Sequence, residues 1–550
     1  MRIRLLPAIA CLAVAACGGA KTPAAGSATT GERPKTHDAL VTLFNEWRAF
    51  QRPTLTGGVP DYTAKAMAAQ QSGLASWQQR LAAFDTTGWS VADQVDYHII
   101  RAEMNGMDFD HRVMKPWVNN PAFYVTFFTD ESDQPAREGP FAWGAVELWS
   151  YKQPLSAADA AAVDSGLARI PGLLQQAQQN LTGNQKDLWT WGVKPVQDQA
   201  KALEGFIASL PADQAALKAS AQAAKDATDT FAAWIESQKG SKTGPSGIGV
   251  ANYDWYLKHV QLLPYTWHDL VLLMDRELAR SWAYLGLEEV RNAAVPPQRI
   301  VASPAEFDKR FNDAVTEYMG FLKAKGVITV KGDMEARLRA RIGSFSTGKR
   351  HFFAEVDYRD PEVMRTHGFH WFDKGAMAAG YGNPIRNGAL LYNIFNNRTE
   401  GLATGWEEMM MGAGMFDGRP RARELVLILL AERAARALGD LRMHGDGWSL
   451  DAAAKYASTY TPRGWLGLDT DLVWFEQHLY LTQPTYGVSY VIGKIEVEKA
   501  MQARMMAQGE KFTVGGFMDD LTAMGQIPVS LIRWQMSGQL PDDVKAMLSR

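Results

Sequence analysis

Two histidines and two glutamates, close together in the chain, are the residues best suited to chemistry. His367 and His370 stand three positions apart in Thr366-His367-Gly-Phe-His370-Trp-Phe-Asp373. On a helix that spacing puts both on one face, a geometry that metal ligands use in helical bundles. The whole chain has ten histidines, so such a pair is uncommon. Glu400 and Glu407 follow in Thr399-Glu400-Gly-Leu-Ala-Thr-Gly-Trp-Glu407-Glu408. Seven residues turn a helix through about 700°, so these carboxylates share a face as well. Two aligned carboxylates are costly in a core without a cation, a proton or a basic partner. Met409-Met410-Met411 beside them predicts that this helix is substantially buried. Spacing alone leaves two readings open. A divalent ion gathers the imidazoles and Glu400, or the histidines are structural, beside Trp371 and Phe372, and Glu400 pairs with Arg386, Arg398 or Arg442.

The elements that must position these groups read mostly as helix. Leu40, Leu43, Phe44, Trp47 and Phe50 follow helical spacing. Ser156 is placed to cap a helix running through Leu167, Ile170 and Leu174 towards Leu181. Residues 200–234, 264–287 and 306–322 are helical in pattern, and the pattern returns after Pro361. Gly240 to Gly249 is the best internal linker or active-site loop. Val327-Ile-Thr-Val330 and Phe352-Phe-Ala-Glu-Val356 look like short strands. The expected fold is therefore mostly α, a large two-lobed helical shell with a small β element near 326–360 and the site between the lobes.

The chain has 550 residues, a formal charge of −3 and 46% hydrophobic residues, enough for a large core and no invitation to nucleic acid. Its two cysteines are Cys11 and Cys17, so nothing later in the chain can offer a thiolate. Arg2, Arg4 and the apolar run Leu5 to Val14 make a leader, and Val14-Ala-Ala-Cys17-Gly18 resembles a bacterial lipobox. The expected plan is a signal peptide at 1–16, a tether at 17–36 lipidated on Cys17, and one helical domain at 37–550, with lobes at 37–240 and 250–550. Acyl chains would hold it on a membrane, and Gly18 in place of Asp points to the outer membrane facing the periplasm.

Several common motifs fail. Gly343-Ser-Phe-Ser-Thr-Gly348-Lys349 has the spacing of a phosphate loop, but Arg350 stands where Ser or Thr should hold magnesium. There is no Gly-x-Ser-x-Gly elbow and no His-Glu-x-x-His helix.

The chain is similar to a large, mainly bacterial group, the family of domain of unknown function 885, many of them lipoproteins. That family's hallmarks are His-Glu-x-x-Pro-Gly-His-His and, about thirty residues on, Glu-Gly-Trp-Ala-Leu-Tyr-Ala-Glu. Glu400-Gly-Leu-Ala-Thr-Gly-Trp-Glu407 resembles the second, and His367 lies 33 residues before Glu400. Asp440-Leu-Arg-Met-His444-Gly-Asp-Gly-Trp448 and Gln483-Pro-Thr-Tyr-Gly-Val-Ser-Tyr490-Val-Ile-Gly493-Lys494 resemble further family segments. The group looks like distant kin of helical zinc peptidases. The departure is at the chemistry: Gly368 stands where the family has its glutamate base, and Trp371-Phe-Asp373-Lys374 replaces Pro-Gly-His-His.

The resemblance implies a membrane-anchored, peptidase-like hydrolase acting on an amide or peptide bond with zinc or a similar divalent metal. His367, His370 and Glu400 would be ligands, with Asp373 as a fourth, and Glu407 or Glu408 the base. Tyr490 and His444 are candidates to stabilise an oxyanion, and Arg442 or Lys494 to bind a substrate carboxylate. Two alternatives remain: a dead peptidase fold used for binding or scaffolding, and metal-free chemistry in the same cleft. A Lys374 or Arg398 side chain filling the metal position would mark the dead fold.

Overall fold

The computed structural model describes residues 34–549; Cys17, the leader and the tether up to residue 33 lie outside it. Helices dominate, and the only strands among the described residues are two short pairs. Leu55–Thr56 pairs antiparallel with Val59–Pro60, and Phe127–Phe128 pairs parallel with Val146–Glu147. No described helix is long and apolar enough to cross a membrane.

Local signals set most helix ends. Thr36 accepts a hydrogen bond from the Ala39 amide and starts His37–Phe50. Ser156 starts Ala157–Leu167 in the same way, but the expected continuous run to Leu181 is two helices. Pro171 sits at the start of the second helix, where its missing N–H is tolerated, so the chain breaks just before it. Likewise 200–234 divides into Lys186–Ser209 and Ala215–Lys239, with Pro211 in the break. Thr266 and Asp269 form a reciprocal capping box that starts Trp267–Arg291.

The β element expected near 326–360 is absent, and the small strands lie elsewhere. Phe352–Asp357 is a helix, with Phe352 and Val356 buried one turn apart. Five residues, four of them apolar, are too few for periodicity to separate strand from helix. Val327 and Ile328 are buried, but no strand edge pairs with them; the Thr329 amide and hydroxyl donate to Asp519 instead.

Two large cores organise the chain. One lies within 62–235; the other joins side chains from 40–109 to others from 256–548, so the N-terminal helices share a core with the C-terminal ones. The expected linker at 240–249 is stapled down. The Gly244 amide donates to the Asn184 carbonyl at 2.8 Å, and the Gly249 amide to that of His444 at 2.9 Å.

The most intimate helix pair is Asn396–Gly412, which carries Glu400, against Tyr486–Gln508. They touch backbone to backbone. A Cβ on Gly493 would overlap the Asn397 carbonyl oxygen, and one on Gly401 would overlap Gly493. The glycine next to Glu400 thus fixes how near that carboxylate comes to the Tyr486 helix. Gly493→Ala is expected to cost about 1–3 kcal/mol or more by overpacking, read as a lower urea midpoint.

Candidate metal centre

The helix Pro361–His367 begins on Asp360, whose side chain accepts from the Glu362 amide, and stops at His367. Gly368, with ψ 9°, breaks it from Phe369–Ala379. The two histidines therefore do not sit on one continuous helix, yet their rings lie 5.0 Å apart. A Cβ on Gly368 would start 2.7 Å from a Leu338 methyl and 3.0 Å from the Arg365 carbonyl oxygen. Position 368 is thus packed against Leu338, which explains why a large side chain is not accommodated there.

Glu400 is buried and its two oxygens have different fates. Oε1 accepts from Gln134 Nε2 at 2.8 Å and from the Tyr486 hydroxyl at 2.5 Å. Oε2 has no hydrogen-bond partner, and neither has His370 Nε2, 3.4 Å away. Both atoms are buried. The two atoms face one another as an ion pair rather than through a hydrogen bond. One ligand atom each from His367, His370 and Glu400 lies within 4.8 Å of the others. Burial opposes charge on His370, but the carboxylates of Asp133 and Glu400 outweigh it and push the imidazole up to about 9. Burial also opposes charge on Glu400, and His370 outweighs it, bringing the carboxyl down to about 2.

Glu407 takes the other histidine. Arg433 grips it in a fork, Nη1 on Oε2 at 2.6 Å and Nη2 on Oε1 at 2.8 Å, with both side chains fully buried. His367 Nδ1 stands 2.9 Å from Glu407 Oε1 and 3.1 Å from Arg433 Nη2. The shorter contact is the one in which the ring donates, and that tautomer leaves Nε2 with its lone pair. Burial, and then the Arg433 charge, hold His367 below the usual histidine range, so the ring is neutral at pH 7. The two carboxylates on one face have each met a histidine, and Glu407 an arginine as well. Glu400 pairs with none of the three arginines weighed from sequence. Arg386 holds Asp96 at 2.7 Å, Arg398 holds Asp373 at 2.8 Å, and Arg442 holds Asp446 at 2.6 Å.

Other candidates lie apart from this cluster. Asp373 is clamped through both oxygens by Arg398 at 2.8 and 3.0 Å, so it is not free to be a fourth ligand. Glu408, about 100° round the helix from Glu407, pairs with Arg280 at 2.8 Å and Lys494 at 2.9 Å. Lys494 is itself buried against Glu277 and Glu408, and Arg442 makes a surface pair, so neither reaches the centre. His444 donates from Nε2 to the Tyr480 carbonyl at 3.0 Å and accepts at Nδ1 from the Ile248 amide at 3.3 Å. It is a staple for the 240–249 loop. Tyr490 is nearer: its ring centroid is 5.8 Å from that of Tyr486 and 5.1 Å from the Arg436 guanidinium carbon.

Lys374 and Arg398 are both held by other carboxylates, Arg398 by Asp373 as above. Lys374 pairs with Glu131 at 2.9 Å and donates to the Ser132 carbonyl at 2.7 Å, tying the 130s loop to the histidine helix. That loop brings residues that no local spacing announced. Gln134 reaches Glu400, and Glu138 accepts from Ser132 Oγ at 2.9 Å. Burial, with Asp133 and Glu400 adding repulsion, pushes Glu138 up to about 7. Tyr486 had a signal, standing one turn before Tyr490 on the same helix. A second trio, His37, Asp93 and Asp96, is less open, because Asp96 already accepts from Arg386 and Asn383.

A family model described as a bacterial protein of unknown function, DUF885, matches residues 50–384 and 383–536. Two solved structures share the architecture. A candidate lipoprotein of unknown function from Shewanella oneidensis is 15% identical with a TM-score of 0.63, over 91% of this chain and 98% of that one. A candidate lipoprotein from Colwellia psychrerythraea is 14% identical with a TM-score of 0.66, over the same 91% and 98%. At such identities the likeness is one of fold. No curated protein matches the chain. The family match runs through both histidines, both glutamates and the helices that hold them, and the chain belongs to the DUF885 family of bacterial proteins of unknown function.

Proposed function

We propose that this protein is a metal-dependent hydrolase of amide or peptide bonds, anchored in the bacterial cell envelope. Zinc or a similar divalent ion would be held by His367, His370 and Glu400. The observation that carries this reading is the buried pair His370 Nε2 and Glu400 Oε2, 3.4 Å apart, with no hydrogen bond to either atom. Two imidazoles and a carboxylate are a donor set that suits such an ion, and Lys374 and Arg398 are held by other carboxylates. When bound, the ion supplies Lewis acidity, polarising a carbonyl and making water more acidic.

The rest is work for the chain's own groups. Gln134 and Tyr486 hold Glu400 Oε1 and leave Oε2 facing His370. Glu407, clamped by Arg433, fixes the His367 ring and its tautomer. A carboxylate so firmly paired is a poor proton acceptor. Glu138 suits that task better, with its carboxyl pushed up to about 7 beside Glu400. Burial holds the Tyr490 hydroxyl well above its ordinary pKa, so it stays a donor suited to an oxyanion. The lipobox-like segment ending at Cys17, and the lipoprotein titles of both structural neighbours, support the lipid anchor. An outer-membrane position facing the periplasm is part of the same proposal.

The rival is a catalytically inactive binding or scaffold protein on the same fold. Gly368 and the grip of Arg433 on Glu407 favour it. Elemental analysis separates the two. Protein purified without a histidine tag or added metal is expected to carry close to one equivalent of a divalent ion. His370→Ala with Glu400→Gln should remove it. Under about a tenth of an equivalent in the unmodified protein, with no uptake on titration, would sink the metal reading. Glu138→Gln should keep the metal and lower turnover of a peptide library about 10²–10⁴-fold.

A further inference from the structure

A second site lies beside this centre. A cavity of about 300 Å³ is walled by Tyr62, Trp117, Phe141, Trp143 and Tyr392, with Asp110 and His111 in its lining. Its size suits a small ligand or one substrate side group. Among the lining residues Asp110 is the one acid, and there is no lysine or arginine. His111 is uncharged: burial pushes it down to about 4, and its Nε2 lies 3.1 Å from Gln70 Oε1. No hydrogen bond or ion pair among the described residues reaches the Asp110 carboxylate. Loss of water on its protein-facing side pushes its carboxyl up to about 7. Asp110 is half-buried, and its carboxylate meets an apolar, aromatic cavity with no basic side chain in its lining, a setting that favours a cation as its partner. Aromatic faces supply the rest of what an organic cation needs.

The surrounding backbone is strained where it meets this cavity. Asp110 opens a five-residue π-helical turn, Asp110–Met114, that ends on Lys115 at φ 42°. Such turns recur at functional sites. Tyr392 and Asn393, in the wall, have φ 54° and 57°, and Thr485, after lining residue Pro484, has φ 76°. Of the seven left-handed non-glycine residues among the described ones, two line this cavity and two more, Lys115 and Thr485, adjoin lining residues. Left-handed backbone at such residues is unfavourable and gathers at binding sites. Gly106 lets the Tyr392 ring lie on the Asp110 helix, because a Cβ there would overlap the ring. The cavity also abuts the candidate centre: the Gly139 amide, next to Glu138, donates to Gln483 Oε1 at 2.6 Å, and both residues line it.

We infer that this cavity binds an organic ammonium group, with Asp110 as counter-ion and the aromatic wall as its cation-binding surface. The source is a free amino group, as at a peptide's N-terminus, or a quaternary ammonium headgroup. The inference holds whether or not the neighbouring centre carries a metal, and its test reads binding alone.

The test is calorimetric titration of the full chain with phenethylammonium and with phenethyl alcohol, its neutral counterpart. The ammonium is expected to bind at least about tenfold more tightly, a difference that cation–π attraction and one desolvated ion pair readily supply. Asp110→Asn should bring the two within about twofold while leaving the alcohol's affinity unchanged. Trp143→Ala should weaken the ammonium in a protein that keeps Asp110. Benzyltrimethylammonium as a third probe tells a primary from a quaternary source by which cation binds more tightly. Equal binding of ammonium and alcohol, no binding of any probe, or a preference that survives Asp110→Asn would overturn the site. Ammonium binding untouched by Trp143→Ala would overturn it too, by placing the probe elsewhere.

Discussion

Arg433→Met is expected to destabilise the protein by about 3–5 kcal/mol, the cost of leaving one member of a buried ion pair behind. Arg433 and Glu407 are both fully buried, and the guanidinium fork meets both carboxylate oxygens. Without it, Glu407 keeps only His367, and Glu432 stays near to repel it. Burial would then raise the Glu407 carboxyl until it takes up a proton. The double change Arg433→Met with Glu407→Gln should recover most of the loss, because no bare charge is left behind. Urea midpoints of the two variants measure this. If Arg433→Met costs under about 1 kcal/mol, the pair is not the anchor described here. The same variant tests the site, since Arg433 also holds His367 low. Its removal lets that imidazole take a proton more easily, which should weaken metal uptake near neutral pH.

The second expected result is a pair of opposite pH slopes. Without metal, His370 is charged and its pKa is raised to about 9 from an ordinary 6.5. A raised histidine stabilises fully below about pH 6.5, and that contribution is lost as pH climbs through 9. The shift caps it at about 3 kcal/mol. Metal binding needs the neutral ring and must displace that proton. Uptake should therefore strengthen up to about tenfold per pH unit until pH 9, then level off. Melting scans at pH 6 and pH 8.5, with and without excess zinc, separate the curves. Zinc is expected to raise the midpoint far more at pH 8.5. His370→Ala should remove both slopes while leaving those from other raised carboxyls, such as Asp440 and Glu476 at about 8. An equal zinc shift at both pH values would show that His370 is not a ligand.

Helix positions were legible because they rest on short-range chemistry. Ser156 caps a helix as its place before an apolar run predicts, whereas Pro171, which lacks an N–H, splits the run to Leu181 that periodicity alone reads as continuous. The misread element, Phe352–Asp357, is short, and there local pattern carries too little information. The site divides in the same way. His367, His370, Glu400 and Glu407 were found because their spacing and types are local facts. Asp373, Glu408, Lys494 and Arg442 were placed beside them on type and neighbourhood, and each is held by an ion pair instead. Sequence does not say which arginine a given carboxylate meets.

By itself the sequence determined a mostly helical chain, the absence of any thiol after Cys17, and four of the groups that face one another in the core. Those follow from composition, periodicity and spacing, which act over a few residues. Tertiary structure decided the rest. It brought Gln134 to Glu400 across 266 residues, Tyr486 across 86, and Arg433 to Glu407 across two helices. It set His370 Nε2 3.4 Å from Glu400 Oε2 and closed an aromatic wall around Asp110. Such contacts exist only once packing has fixed the helices, because a buried polar group's partners are set by which helix comes to lie against it.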